Sequence, residues 1–382
     1  MSRQPDVLIV GLGNIGGWGL EFFLREPSIS KVVVSDIRET YGVQKLNTAL
    51  AGAYHMGYYP EAEFIKMDLL ESVEKNAEII RKVNPRLIVN STTMWTELAM
   101  EAQLPPDVMK PLTDVAGWLG PCLPLNLRLV YHLMLAVKAS GLQPYIINTS
   151  VAEYNGPCLK TQGLAFTVGI ASLDNMAVLV KKQVADLEGV KPRDVIVYLV
   201  ANNFNNRWFM KESPGPCPPY FIKIFVDHRD VTDRYDTFEM LKNSALGRMR
   251  LGSFGSDSLT GSSMCKHGLA LLNDLGLLTN ALSPNGLPGG YPARIGAYGV
   301  RLALPEGITE EEAIRITLEG QKREGIREIT KDGTVIFEDA VVDAWKKIMN
   351  FNCKSFHVRE VDEVAEEQIS KLKALIKKYE KN

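Results

Sequence analysis

A glycine-rich motif close to the N-terminus constrains the fold of this chain more than any other feature. Residues 11–16 read GLGNIG, follow an apolar run at residues 6–10 and precede a segment with helical spacing. In a strand–turn–helix unit, the first glycine makes the tight turn, the second lets a ligand approach the backbone, and the third lets helix and strand pack closely. The motif therefore predicts a dinucleotide whose diphosphate lies at the helix N-terminus. The predicted contacts are Gly11, Gly13, Asn14, Ile15 and Gly16.

An acidic residue lies at the expected distance from this motif. Asp36 ends a second predicted strand, residues 31–35, and stands 20 residues after Gly16. An acid at this position accepts hydrogen bonds from the adenosine ribose and repels a 2′-phosphate, which favours NAD. Arg38 follows two residues later, and an arginine there can serve NADP, so NADP remains an alternative. The fourth predicted strand ends at Asn90 and is followed by Ser91, and we add both residues to the predicted cofactor site.

Apolar runs alternate with helical patterns through the first half of the chain. Strands are predicted at residues 6–10, 31–35, 63–67, 86–90 and 145–148, with helical segments between them. This alternation requires crossover connections and indicates a parallel sheet covered on both faces. The predicted fold class is therefore α/β, with a Rossmann domain over residues 1–150. Residues 151–382 mix helices with antiparallel strands, which predicts an α+β domain for substrate binding and oligomerisation.

Residues 91–124 form a long segment without a clear periodicity. It contains seven prolines and glycines, which are typical of irregular structure. Loops of this length in a compact domain are commonly functional, and its tryptophans, Trp95 and Trp118, favour a packed loop over a disordered one. We predict an irregular loop that acts as a lid over the active site.

Composition excludes several classes of protein. Among the 382 residues the formal net charge is −2 and no long basic run occurs, so nothing indicates binding to nucleic acid or to an anionic membrane. No apolar stretch is long enough to span a bilayer, and no signal peptide is recognisable. The five cysteines are scattered, and the histidines, cysteines and acids lack metal-ligand spacing. These features predict a cytoplasmic enzyme without a metal.

Several segments together resemble the lactate and malate dehydrogenase superfamily, whose fold is shared by the NAD-dependent family-four glycosidases. The segments are VQKLNTALAGAYH (43–55), NLRLVYHLMLAVKASGLQPYIINTS (126–150), FTVGIASLDNMAVLV (166–180), GVKPRDVIVYLVANN (189–203) and GGYPARIGAYGVRLALPEGITEEEA (289–313). Their order and spacing follow the family. The resemblance implies a lactate/malate-dehydrogenase-like C-terminal domain, and it places Asn148 near the nicotinamide and the substrate.

The departures from the family bear on the chemistry. Asp174 falls on the position of the family's catalytic aspartate, but Ala177 replaces the arginine that clamps the substrate carboxylate. The position of the catalytic histidine reads Asn202-Asn203, and an asparagine cannot act as a base. The glycosidase metal signature is likewise missing, because residues 169–171 read GIA. The resemblance therefore implies a divergent member that is neither a standard lactate nor a standard malate dehydrogenase.

Several other residues are candidates for a catalytic role. The amide-rich cluster of residues 202–207 either binds substrate hydroxyls or a carbonyl, or forms a polar turn. His267 is the best candidate for a replacement base, with a structural histidine as the alternative. Glu153, Tyr154 and Asn155 follow the fifth predicted strand at the edge where open α/β sheets bind ligands, and Tyr154 or Lys160 is a possible proton donor.

These observations lead to one hypothesis and two alternatives. We expect an NAD-dependent oxidoreductase that acts on a small substrate with a hydroxyl or carbonyl group, with Asp174, Asn203 and His267 as the catalytic candidates. One alternative is a hydrolase or lyase that uses tightly held NAD transiently, and the other is a non-catalytic NAD-binding protein. The charged C-terminal helix and the family resemblance favour a homo-oligomer, either a dimer or a tetramer.

Overall fold

The computed structural model of the chain describes residues 4–95, 97–117, 119–211, 215–250 and 252–379. Within this part, the strands are β1 (Val7–Val10), β2 (Lys31–Asp36), β3 (Glu61–Lys66), β4 (Leu87–Asn90), β5 (Tyr145–Asn148), β6 (Val168–Gly169), β7 (Val195–Val200), β8 (Phe221–Val226), β9 (Arg229–Asp230), β10 (Leu277–Leu282), β11 (Gly290–Gly296), β12 (Gly299–Leu302), β13 (Ile326–Ile329), β14 (Thr334–Phe337) and β15 (Ser355–His357). The α-helices are α1 (Asn14–Phe23), α2 (Glu39–His55), α3 (Val73–Val83), α4 (Glu97–Gln103), α5 (Pro106–Thr113), α6 (Leu123–Ser140), α7 (Ala152–Thr161), α8 (Ser172–Glu188), α9 (Asn203–Lys211), α10 (Thr237–Arg250), α11 (Gly252–Leu272), α12 (Glu310–Arg323), α13 (Asp339–Met349) and α14 (Val361–Tyr379).

The largest sheet runs across most of the molecule. Among the described residues its strand order is β12-β11-β10-β6-β5-β4-β1-β2-β3. The strands from β6 to β3 are parallel, whereas β10 pairs antiparallel with β6 and continues into β11 and β12. The predicted α/β class, with its parallel N-terminal sheet, is confirmed. The strand β6 lies beyond residue 150 but belongs to this sheet. The predicted division into two domains at residue 150 therefore stays a prediction.

The central strands are apolar on both faces because helices cover both. Along β1, Leu8 and Val10 join one core with residues of α6 such as Leu127. Val7 and Ile9 point to the opposite face and join a second core with residues of α1 such as Phe23. Successive side chains of a strand point to opposite faces, so a buried parallel strand reads as an unbroken apolar run. The strand β1, which leads into the glycine motif, is thereby buried on both faces.

The predicted irregular loop at residues 91–124 is wrong in part, because the segment contains the helices α4 and α5. Met100 of α4 and Leu112 of α5 are buried in a third core together with Trp345 of α13 and Leu372 of α14. The local prolines suggested a loop, but Pro106 lies in the first turn of α5, where a helix tolerates it. Tertiary packing thus stabilises two short helices that the local pattern did not reveal. Trp118 lies outside the described residues.

The second half agrees with the predicted mixture of strands and helices. The strands β7–β9 form a small antiparallel sheet, and β13–β15 form another. Thr309 caps α12 with a reciprocal bond to Glu312. None of the described helices combines the length and the apolar character needed to cross a membrane.

Candidate functional site

A cavity of about 740 Å³ lies at the carboxyl ends of β1, β4, β5 and β6. Loops that follow these strands line it, and α9, α11 and the segment around α4 complete its wall. The lining residues are Gly13, Asn14, Ile15, Ser91, Thr92, Thr93, Ala99, Ala102, Leu119, Cys122, Asn126, Thr149, Ser150, Val151, Ala152, Glu153, Ile170, Ala171, Ser172, Asn203, Asn206, Ser256, Asp257, Thr260 and Leu282. Open α/β sheets bind their ligands at this edge.

The glycine motif forms one end of the cavity, and its geometry fits a dinucleotide. Gly11 has a φ of +92°, a conformation that side chains other than glycine rarely adopt. A Cβ atom on Gly16 would lie 2.0 Å from the carbonyl oxygen of Gly11, so only glycine allows the helix to approach the turn. A Cβ atom on Gly13 would have no atom within 4 Å, which leaves room for a ligand against the backbone. Asn14 and Ile15 begin α1 and line the cavity.

Asp36 lies at the end of β2, beside this turn. Its Oδ2 accepts a hydrogen bond from the backbone N–H of Leu12 at 3.0 Å, and its two oxygens also accept bonds from Arg38. Burial acts to raise the pKa of Asp36, but the bonds from Arg38 and from Leu12 hold it below its ordinary value. The carboxyl is therefore ionised at neutral pH. The two residues predicted to contact the adenosine form a bidentate ion pair.

Asn90 and Asn148 lie below the cavity rather than in its wall. They are register partners on β4 and β5, and Nδ2 of Asn90 donates to Oδ1 of Asn148 at 2.8 Å. Both side chains are fully buried and also bond to the loops that follow their strands, through Thr92 and Ser150. The asparagine pair thus shapes the loops that line the cavity. Ser91, also predicted from the sequence, does line it.

The amide-rich cluster divides into two pairs. Asn203 and Asn206, in the first turn of α9, line the cavity. Asn202 and Asn205 instead hold the local backbone, since the N–H of Asn202 donates to Oδ1 of Asn205 at 3.0 Å. Residues three positions apart on a helix share one face, which accounts for the pairing of 203 with 206. The Oδ1 atom of Asn203 is buried and has no hydrogen-bond partner among the described residues.

The other two predicted catalytic residues lie behind the wall. Asp174 is buried in α8, where Lys266 donates to its oxygens at 2.6 and 2.7 Å and Ser263 and Thr279 also donate. Burial acts to raise the pKa of Asp174, but Lys266 holds it below its ordinary value. His267 is fully buried, with its ring nitrogens against the carbonyl oxygens of Ser263 and Asn280. This placement favours structural roles for both residues.

Glu153 is one of two acidic residues that line the cavity. It lies in the first turn of α7, directly after β5, and only 2 % of it is exposed. Burial raises the pKa of Glu153 to about 7, and no other described side chain hydrogen-bonds to its carboxyl. A carboxyl with this pKa can both donate and accept a proton near neutral pH. The sequence signal was its position after the fifth strand, but nothing there distinguished it from Tyr154.

Neither alternative proton donor reaches the same position. Tyr154 is fully buried, its hydroxyl donates to Oδ1 of Asn202 at 2.6 Å, and burial raises its pKa well above the ordinary value. Lys160 lies on the exposed side at the end of α7. Glu153 is therefore the residue of this helix that is suited to proton transfer.

Two non-glycine residues of the cavity wall have a positive φ. Val151 has a φ of +41° and precedes α7, and Ala171 has a φ of +106° and precedes α8. A β-branched residue in this region is a genuine outlier, and such strain clusters at functional sites. Both residues line the cavity. The backbone at the ends of β5 and β6 is thus held in an unfavourable conformation where the cavity lies.

The described lining residues include two carboxyl groups and no lysine, arginine or histidine. Besides Glu153, the second acid is Asp257 of α11, whose pKa is raised by burial and which accepts a hydrogen bond from Asn14. Most other polar lining groups are hydroxyls and amides. Within the described residues, no three His, Cys, Asp or Glu side chains come together as a metal site.

Comparisons with known proteins identify the fold. No protein-family model and no curated protein matches the chain. Among solved structures, a lactate dehydrogenase from Cryptosporidium parvum, complexed with lactic acid and nicotinamide adenine dinucleotide, matches with a TM-score of 0.58 and 14 % identity, over 96 % of this chain and 99 % of its own. A malate dehydrogenase from Picrophilus torridus matches with a TM-score of 0.58 and 15 % identity, over 84 % of this chain and 96 % of its own.

A third match gives the same result. The malate dehydrogenase from Plasmodium falciparum, in complex with NADH, has a TM-score of 0.55 and 12 % identity, over 96 % of this chain and 99 % of its own. At sequence identities this low, the matches are evidence for the fold alone. The chain has a lactate/malate-dehydrogenase-like fold, as its sequence predicts.

Proposed function

We propose that the protein is an NAD(P)-dependent oxidoreductase that interconverts a hydroxyl and a carbonyl group on a small substrate. The observation that carries the proposal is Glu153, a buried carboxyl with a pKa of about 7, in the same cavity as the glycine motif. Such a reaction needs a dinucleotide and an acid–base group in one cavity, so that the group can reach the substrate oxygen beside the nicotinamide. The fold shared with dehydrogenases supports the same class of reaction.

The cofactor would bind with its diphosphate against Gly13, Asn14 and Ile15 and its adenosine towards Asp36 and Arg38. The N-terminus of α1 supplies backbone N–H groups and a positive dipole end to the diphosphate. The nicotinamide end would then point towards the loops after β4 and β5, which include Ser91 and Thr149. When bound, the nicotinamide accepts or supplies the hydride.

Glu153 would handle the proton. In the oxidation of an alcohol, the ionised Glu153 carboxylate would accept the hydroxyl proton, and the bound cofactor would serve as the hydride acceptor. In the reverse direction, the protonated carboxyl donates its proton to the carbonyl oxygen. Because the pKa lies near neutrality, both forms of Glu153 are populated under physiological conditions.

The substrate would be held by amides and hydroxyls. Asn126, Asn203, Asn206 and Thr93 line the cavity and would supply these groups. The described lining residues contain no arginine to clamp a carboxylate, which argues against lactate or malate as the substrate. A polyol, a sugar or a ketone derivative fits these groups better. His267 and Asp174 would support the wall from behind.

The test combines binding with turnover. Wild type and Asp36→Ala are titrated with NADH and NADPH by fluorescence, and wild type is then assayed with a panel of polyols, sugars and ketones. Glu153→Gln should reduce turnover about 100- to 10,000-fold, the range typical of a lost acid–base group, with cofactor affinity unchanged. Glu311→Gln is the matched control, because it is an exposed acid at the corresponding second position of α12.

Two results would refute the proposal. One is a wild-type protein that binds neither cofactor. The other is a Glu153→Gln variant that turns over a confirmed substrate as fast as wild type.

A further inference from the structure

We propose that Arg38 determines which nicotinamide dinucleotide the site prefers, and that the site accepts the 2′-phosphorylated cofactor NADPH at least as well as NADH. The inference rests on the proposed function, since it requires that a dinucleotide binds at the glycine motif. The inferred preference is opposite to the preference for NAD that Asp36 alone predicts.

The hydrogen bonds at Asp36 carry the inference. Its Oδ1 accepts from the backbone N–H and the Nε of Arg38, at 2.9 and 3.0 Å. Its Oδ2 accepts from the N–H of Leu12 at 3.0 Å and from Nη2 of Arg38 at 3.1 Å. A carboxylate offers about four acceptor sites, so these four donors use its capacity. A ribose hydroxyl can donate to Asp36 only after the Arg38 guanidinium has moved away.

The guanidinium is held in place on a second side. Its central carbon lies 4.0 Å above the centre of the Tyr41 ring, and the Tyr41 hydroxyl donates to the carbonyl oxygen of Leu12 at 3.0 Å. The ring is thus tied to the glycine motif, and it supports the planar guanidinium by a cation–π contact. Arg38 is therefore preorganised beside the predicted adenosine position, at little further cost in side-chain entropy.

One edge of the guanidinium is free to bind a phosphate. The Arg38 side chain is 55 % exposed, and its Nη1 is not used in the pair with Asp36, which engages Nε and Nη2. A phosphate can accept bonds from this edge while the bidentate pair with Asp36 stays intact. NADPH can therefore bind to the arrangement as it stands, whereas NADH has to break two Arg38–Asp36 bonds to reach the carboxylate.

The local charge also favours a phosphate. Alone, Asp36 would repel a 2′-phosphate, but the pair with Arg38 is close to neutral. The Nζ of Lys45 lies 5.9 Å from the centre of the same Tyr41 ring and adds a positive charge on this side of α2. The electrostatic penalty that an unpaired acid imposes on NADPH is thereby removed.

The experiment compares cofactors and fragments by binding alone. NADH, NADPH, AMP and adenosine 2′,5′-bisphosphate are titrated against wild type, Arg38→Ala and Arg38→Lys, with NAD(P)H fluorescence and displacement as the readouts. Arg301→Ala is the matched control, because the Arg301 guanidinium lies 4.4 Å above the ring of Tyr298 in a similar arrangement elsewhere on the surface.

The wild type should bind NADPH at least as tightly as NADH. Arg38→Ala should weaken NADPH and the bisphosphate by at least about 10-fold, with NADH and AMP unchanged or tighter, and Arg38→Lys should restore part of the loss. A wild type that clearly prefers NADH, or an Arg38→Ala variant that weakens all four ligands equally, would overturn the inference and leave the proposed function standing. Binding of neither dinucleotide would overturn both.

Discussion

The Glu324 carboxylate accepts a hydrogen bond from the backbone N–H of Leu119 at 2.7 Å, although the two residues are 205 positions apart in the sequence. Glu324 ends α12 and is fully buried, whereas Leu119 lines the cavity. The contact ties the segment between α5 and α6 to the C-terminal half of the chain. The segment 91–124, which the sequence predicts to act as a lid, is therefore anchored at Leu119, and its role as a lid stays a prediction.

Gly120 should not tolerate a side chain, because a Cβ atom there would lie 2.3 Å from the backbone oxygen of Glu324. Gly120→Ala forces backbone to move in a buried region and should destabilise the protein by about 1–3 kcal/mol. In Gly17→Ala, the nearest atom to the new Cβ is the flexible Lys45 Nζ at 3.5 Å, so this control in α1 should be neutral or stabilising. Urea unfolding measures both, and an equal loss in the two variants would contradict the prediction.

Glu153 should make stability depend on pH. Its pKa is about 7 in the folded protein against 4.5 for the unperturbed group, so the folded state holds a proton that the unfolded state releases between these values. Its contribution is fully present below pH 4.5 and is lost as the pH rises through about 7, by up to about 3 kcal/mol.

Glu153→Gln should therefore be more stable than wild type at pH 8, although it is catalytically impaired. The free energies of unfolding of both proteins at pH 5 and pH 8 measure this difference. An equal change with pH in the two proteins would show that the carboxyl is not titrating where the structure indicates.

Lys266 should stabilise the protein through Asp174. Lys266→Met leaves the buried Asp174 carboxylate without its cation, and breaking a buried pair in this way costs about 3–5 kcal/mol. Lys182→Met in α8 removes an exposed pair with Asp186 and should cost at most about 0.5 kcal/mol. Thermal unfolding of the two variants measures the difference. An equally small loss of stability in both would mean that other groups compensate the charge of Asp174.

The two kinds of asparagine in residues 202–206 should respond differently to alanine. Asn205→Ala removes bonds to the N–H of Asn202 and to the carbonyl oxygen of Pro218, and should destabilise the protein by about 1–3 kcal/mol. Asn203→Ala removes an oxygen that has no described partner, so stability should hold while the KM for substrate rises. A large loss of stability in Asn203→Ala would instead assign that residue to the scaffold.

Much of the fold was predictable because its signals are local. The apolar runs of β1 and β4, the glycine motif and the acid after β2 each lie within a few residues, and the structure arranges them as a parallel sheet. The helices α4 and α5 were missed because their stability comes from α13 and α14, more than 200 residues away. Short segments with weak periodicity depend on such tertiary contacts.

The sequence by itself determined the α/β class and the glycine motif that predicts a dinucleotide site, since residue types and spacing suffice for these. Only the tertiary structure decided which polar residues face the cavity. Glu153 and Asn203 line the cavity, whereas His267 and Asp174 are buried and do not line it. The physical reason is that burial and hydrogen-bond partners set the pKa and the accessibility of a side chain, and long-range packing decides both.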